Sequence, residues 1–151
     1  MNNDHGADMT VSSDAIRAAV GSIWPDLKYI VLSDPDYIRP TMEELSQTLN
    51  ALEVQRMPYI PLLFECEEFA LGLMYEVRKQ HAQEAIAGRI AADRLLNWPL
   101  GICAGTRFRG RDLDHWANVC LTTDGVRLIE PQNNTVWAPD AQNDQIYFLL
   151  M

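Results

Sequence analysis

A thiol, an imidazole and a carboxylate that meet at the start of a helix can move an acyl group, and this chain holds one plausible set of the three. Of its cysteines, Cys66, Cys103 and Cys120, only Cys66 stands where such chemistry begins. Phe69, Ala70, Leu73, Met74 and Val77 recur at helical spacing behind it, so the pattern predicts a helix from Cys66 to about Gln80. The first turn of a helix favours a negative sulfur and leaves backbone N–H groups that can hold an oxyanion. Glu65, Glu67 and Glu68 act against this, raising the thiol pKa unless a protonated histidine stands beside it. Cys103 and Cys120 fall in segments of core character.

The matching base is His115. His5 sits in a polar lead-in and His81 at a polar helix junction, whereas His115 enters a strand-like run. Asp124-Gly125 is a strong hairpin dipeptide. Taken as a two-residue turn, it sets Val119 opposite Glu130 and Ala117 opposite Gln132. Side chains alternate along strands, so His115, Ala117, Val119, Glu130 and Gln132 share a face. In that register Gln132 is the diagonal neighbour of His115, and Glu130 lies about 13 Å away at ordinary strand rise. For Glu130 to reach the imidazole, the hairpin needs a bulge or another turn register.

The elements that must position these groups follow from the same grammar. Ser12 or Ser13 caps a helix to Val20, Lys28 to Leu32 is a strand, and Asp34-Pro35-Asp36 a turn. Thr41 and Glu44 form a capping box for a helix to about Leu52. Pro58 and Pro61 hold the approach to Cys66 extended, and a second helical stretch runs from Ala82 to Leu96, ended by Trp98-Pro99. Strands follow at 102–108, 116–122, 126–130 and 145–150. Helices first and antiparallel strands afterwards make an α+β domain, with residues 1–10 a disordered tail and 11–151 a single domain.

Composition narrows the function classes. A net charge of −9 argues against a nucleic-acid partner, and Arg107, Arg109 and Arg111 read as a solvated strand face. No apolar run is long enough to span a membrane, and the first residues lack the pattern of a signal peptide, so the expected setting is cytoplasmic. Three cysteines without ligand spacing give neither a zinc site nor a disulfide framework.

Three short stretches carry a resemblance: Phe64-Glu-Cys-Glu-Glu-Phe-Ala70, His115-Trp-Ala-Asn118 and Leu128-Ile-Glu-Pro-Gln132. In this order they resemble the papain-like C-terminal domain of the fungal Marasmius oreades agglutinin and its bacterial and phage relatives. The resemblance implies a papain-like α+β fold, a central helix packed on an antiparallel sheet. It also implies a cysteine peptidase that cleaves peptide or protein substrates, with Cys66 as nucleophile, His115 as base and Glu130 as its orienting group. Gln132 and Asn118 are the alternative third members. It adds calcium as a candidate cofactor, with Asp112, Asp114, Glu67 and Glu68 as candidate ligands. Trp98, Trp116 and Trp137 are candidate cleft walls. The rival readings are a peptidoglycan amidase, a transglutaminase-like acyltransferase, or an inactive papain-like module that serves as a binding or accessory protein.

Overall fold

Helix starts follow the side-chain oxygens that the sequence places before them. Ser12 accepts the Ala15 N–H at 3.2 Å and opens α1 (Ser13–Ile23). At α2 (Met42–Ala51) the Thr41 N–H donates to Glu44 at 2.8 Å, and the Glu44 N–H returns to the Thr41 hydroxyl at 3.1 Å. Helix α3 (Cys66–Ile86) continues past Gln80, because nothing in Ala82–Ala85 breaks it before Gly88 turns the chain at φ 70°. The expected second helix from Ala82 is therefore the end of α3, followed by a loop with one 3-10 turn at Ala92–Arg94. The computed structural model describes residues 9–151. His5 and residues 1–8 of the expected tail lie outside the described residues, while Thr10 already belongs to a strand.

Two sheets result. The smaller pairs β1 (Thr10–Ser12) antiparallel with β3 (Asp36–Ile38). The larger takes β2 (Tyr29–Val31), β4 (Leu100–Phe108), β5 (Arg111–Thr122), β6 (Gly125–Glu130), β7 (Thr135–Trp137) and β8 (Gln145–Leu150) in the order β2-β8-β4-β5-β6-β7. Its neighbours are antiparallel except for β2 and β8, which run parallel. The expected antiparallel sheet is thus a mixed one. A parallel pair needs a long crossover, and here most of the chain supplies it.

Both faces of this sheet are covered. Along β5, Ala117, Val119 and Leu121 pack with Ile16 and Val20 of α1 and with Trp24, while Cys120 packs with Leu73 and Val77 of α3 and Leu45 and Leu49 of α2. Alternating side chains thus feed two cores, and β5 is continuously buried from Ala117 to Thr122. This corrects the expectation of a papain-like arrangement with one central helix on an antiparallel sheet: the architecture is three layers around a mixed sheet. On the α3 side, buried Asn118 donates from its amide to the Ala70 carbonyl at 2.8 Å and the Gly101 carbonyl at 3.0 Å, joining helix to sheet.

Backbones crowd where β8 slides beside β4. A Cβ added at Gly101 would lie 1.8 Å from the Leu150 carbonyl oxygen, whereas one at Gly21 in α1 meets nothing within 4 Å. Urea unfolding is expected to separate the two substitutions. Gly101→Ala should lose more than about 3 kcal/mol or fail to fold, while Gly21→Ala should gain roughly 0.5–1 kcal/mol from the better helix propensity of alanine.

Candidate functional site

The hairpin register decides which group holds the imidazole. Thr122 pairs with Gly125, Val119 with Leu128 and Asn118 with Ile129, so the two-residue turn is Thr123-Asp124. The Thr122 hydroxyl fixes it, accepting the Asp124 N–H at 3.2 Å and donating to the Gly125 carbonyl at 2.9 Å. Gly125 follows at φ 101°, a conformation that suits glycine. Relative to the expected pairing, β6 moves two residues along β5 and keeps its faces. Glu130 now comes level with Ala117, diagonal to His115, and its Oε2 lies 2.7 Å from His115 Nε2. The pair is shielded, with side-chain exposures of 10% and 21%, and the Phe108 ring meets the imidazole edge-on at 5.2 Å.

The other two candidates for this role do different work. Gln132 donates its backbone N–H to Glu130 Oε1 at 3.2 Å and so steadies the carboxylate. Asn118 points to the opposite face of β5, where it clamps α3.

Cys66 begins α3 after Glu65, whose backbone N–H donates to Glu68 Oε2 at 2.8 Å. Its thiol donates to Glu67 Oε2 at 3.4 Å. Burial pushes the thiol pKa up, and the hydrogen bond and charge of Glu67 push it further. The backbone N–H groups of Trp116 and Glu67 pull the other way without prevailing. The Trp116 amide against the sulfur brings Cys66 within one residue of His115, yet among the described residues no hydrogen bond joins the thiol to the imidazole. Cys103 and Cys120 are fully buried, and burial drives both thiols far above the ordinary range.

The approach to Cys66 is a tight turn and not the extended run expected from Pro58 and Pro61. The Ile60 N–H donates to the Phe64 carbonyl at 2.9 Å, the Phe64 N–H returns at 2.8 Å, and Leu62 takes φ 62° at the tip. This turn carries its apolar side chains outward: Met57, Tyr59 and Ile60 are exposed, Leu63 is 71% exposed and Leu62 94%. The Tyr59 hydroxyl donates to Glu65 at 3.1 Å, which ties the turn to the start of α3.

The remaining expected groups do not converge. Asp112 pairs with Arg107 at 3.2 Å, Asp114 is exposed, and Glu67 and Glu68 serve the start of α3. Among the described residues, no three His, Cys, Asp or Glu side chains are grouped as a metal site would need. The tryptophans stand apart: Trp116 packs on Phe148 at 5.7 Å, Trp137 donates to Asp144 at 3.1 Å beneath Arg109, and Trp98 faces His81 at 6.0 Å. The sequence reading missed the exposed turn, whereas the upward push of Glu67 on the thiol was expected and is found. Five apolar residues within Met57–Leu63 were the signal available for the turn.

No family model and no curated protein matches the sequence. Solved structures do. One, described as a PSL1a-E64 complex, superposes with a TM-score of 0.72 at 20% identity, over 95% of this chain and 50% of that one. Polyporus squamosus lectin bound to the human-type influenza-binding epitope Neu5Acα2-6Galβ1-4GlcNAc gives 0.70 at 22%, again over 95% and 50%. The chain shares its fold with these structures. It spans about half their length.

The family inferred from the three short motifs is corrected: the likeness found is a shared fold with these two structures, one of them described as a lectin. The expectation of an enzyme, with the labels of hydrolase, thiol protease and phage or bacterial protein, rested on that family and is withdrawn with it. Burial and Glu67 push the Cys66 thiol up, opposite in direction to the depression found at nucleophilic cysteines. Among the described residues no helix is long and apolar enough to cross a membrane.

Brief iodoacetamide treatment of the folded protein should label Cys66 and spare Cys103 and Cys120, as read by peptide mass spectrometry. The labelling rate should rise only above the ordinary thiol range. In Glu67→Gln, which removes a charge that favours the protonated thiol, that rise should move to lower pH.

Proposed function

We propose that the chain is a ligand-binding module whose site is the cluster where α3 begins: Cys66, the Trp116 amide, His115 and Glu130, with the Met57–Leu63 turn beside it. The observation that carries this reading is the neighbourhood of Cys66. A half-buried thiol at a helix start, the Trp116 amide beside it and a fixed imidazole–carboxylate pair supply directional polar contacts. The outward apolar side chains of the turn supply adjoining contact area. Small-molecule sites combine these two kinds of surface. The ligand that fits has a carbonyl or carboxyl group for the Cys66 thiol and the His115 imidazole and an apolar group for Ile60, Leu62 and Leu63. E64, held by PSL1a, is the probe that the shared fold suggests.

Neu5Acα2-6Galβ1-4GlcNAc, bound by Polyporus squamosus lectin, is the competing ligand, and calorimetry decides between them. E64 is expected to bind saturably, with affinity reduced at least about tenfold, or 1.4 kcal/mol, in Cys66→Ala and in His115→Ala. Glu130→Gln should weaken it more than Gln132→Ala. Saturable binding of the trisaccharide with none of E64, or E64 binding indifferent to Cys66 and His115, would overturn the assignment.

A further inference from the structure

A pocket lies where the C-terminal half of α3 passes α2 and the loop that follows Gly88. Its volume is about 380 Å³, within the range of small-molecule sites. Trp98 and His81 line it, with ring centroids 6.0 Å apart and planes inclined by 58°. Two ion pairs stand at its rim, Arg94 to Glu44 at 2.9 Å and Arg89 to Glu84 at 2.9 Å.

Two polar atoms among its lining residues have no partner. His81 Nε2 and Gln80 Oε1 are both buried and make no hydrogen bond, although buried polar atoms are ordinarily satisfied. Burial lowers the His81 pKa, against the opposing pull of the Arg94 and Leu96 carbonyls, and so favours the neutral imidazole. Such a ring still has one nitrogen to donate and one to accept.

The charges of the rim cancel. Each arginine is matched by a glutamate, so an anionic ligand finds no unpaired cation and a cationic one no unpaired carboxylate. Among the described residues no metal-ligating group of three exists, which removes a divalent cation. A neutral ligand remains, and the rim offers it guanidinium donors beside carboxylate acceptors. Hydroxyl groups use both at once, since each donates one hydrogen bond and accepts others. The indole face of Trp98 suits the C–H side of a ring.

We propose that this pocket binds a neutral sugar ring, stacked on Trp98, with hydroxyls bonded to His81, Gln80 and the two ion pairs. The site is separate from the Cys66 cluster and does not depend on the reading given for it.

The test is a titration of the isotopically labelled protein with methyl glycosides of glucose, galactose, mannose and N-acetylglucosamine, followed by amide and indole NMR shifts. At least one glycoside is expected to shift the Trp98 indole and the amides around His81, Arg89 and Arg94 saturably, with a dissociation constant on the order of millimolar. His81→Ala and Gln80→Ala should each weaken it several-fold with the remaining spectrum unchanged. Trp98→Ala should abolish it, and if that variant does not fold, the other two carry the decision. Absence of saturable shifts for all four glycosides overturns the proposal. So does saturation that these variants leave unaltered, or shifts at the pocket produced equally by sodium acetate.

Discussion

One buried carboxamide sets where the start of α3 can lie. Asn118 stands in the middle of the longest strand and spends both amide hydrogens on backbone carbonyls, one of α3 and one of β4. A side chain so placed admits little sliding, because either movement strands a buried donor. With Ala70 pinned against β5, the first turn of α3 reaches the strand near Trp116, and the Trp116 amide meets the Cys66 sulfur. The Cys66 cluster is thus a consequence of packing at a residue that takes no part in it. Its oxygen has no partner, the sole cost visible in the arrangement.

The sequence made some of this legible and concealed the rest for identifiable reasons. Capping at Ser12 and Thr41 and the strand at 145–150 are local signals, and they stand in the structure. Strands β1, β3 and β7 have three residues each, too short for a period, and they exist because distant partners bond to them. The hairpin illustrates a finer limit. Asp124-Gly125 does mark the turn, but the Thr122 hydroxyl selects a pairing in which glycine follows the corner. That choice placed Glu130, and not Gln132, beside His115.

The motifs around Cys66, His115 and Glu130 located a cluster and misjudged its character. Spacing reports which side chains come near one another, and it says little about which proton resides where. Burial pushes the thiol pKa up, and Glu67, adjacent in sequence, adds to it. The likeness to two solved structures shows the fold that carries this cluster. Reaction and recognition use the same atoms.

The strand order has a consequence for how the molecule is made. Strand β8 inserts between β2 and β4, and the Met151 N–H closes onto the Val31 carbonyl at 2.9 Å. During synthesis the central sheet therefore waits with a gap, β2 on one bank and the unpaired edge of β4 on the other, until residues 145–151 leave the ribosome. Long-range pairing of this kind is slow, and exposed edges invite association. Closure of the central sheet is in this sense deferred until β8 has emerged, and a ribosome stalled before residue 145 would present an open β-edge to whatever chaperone stands nearby.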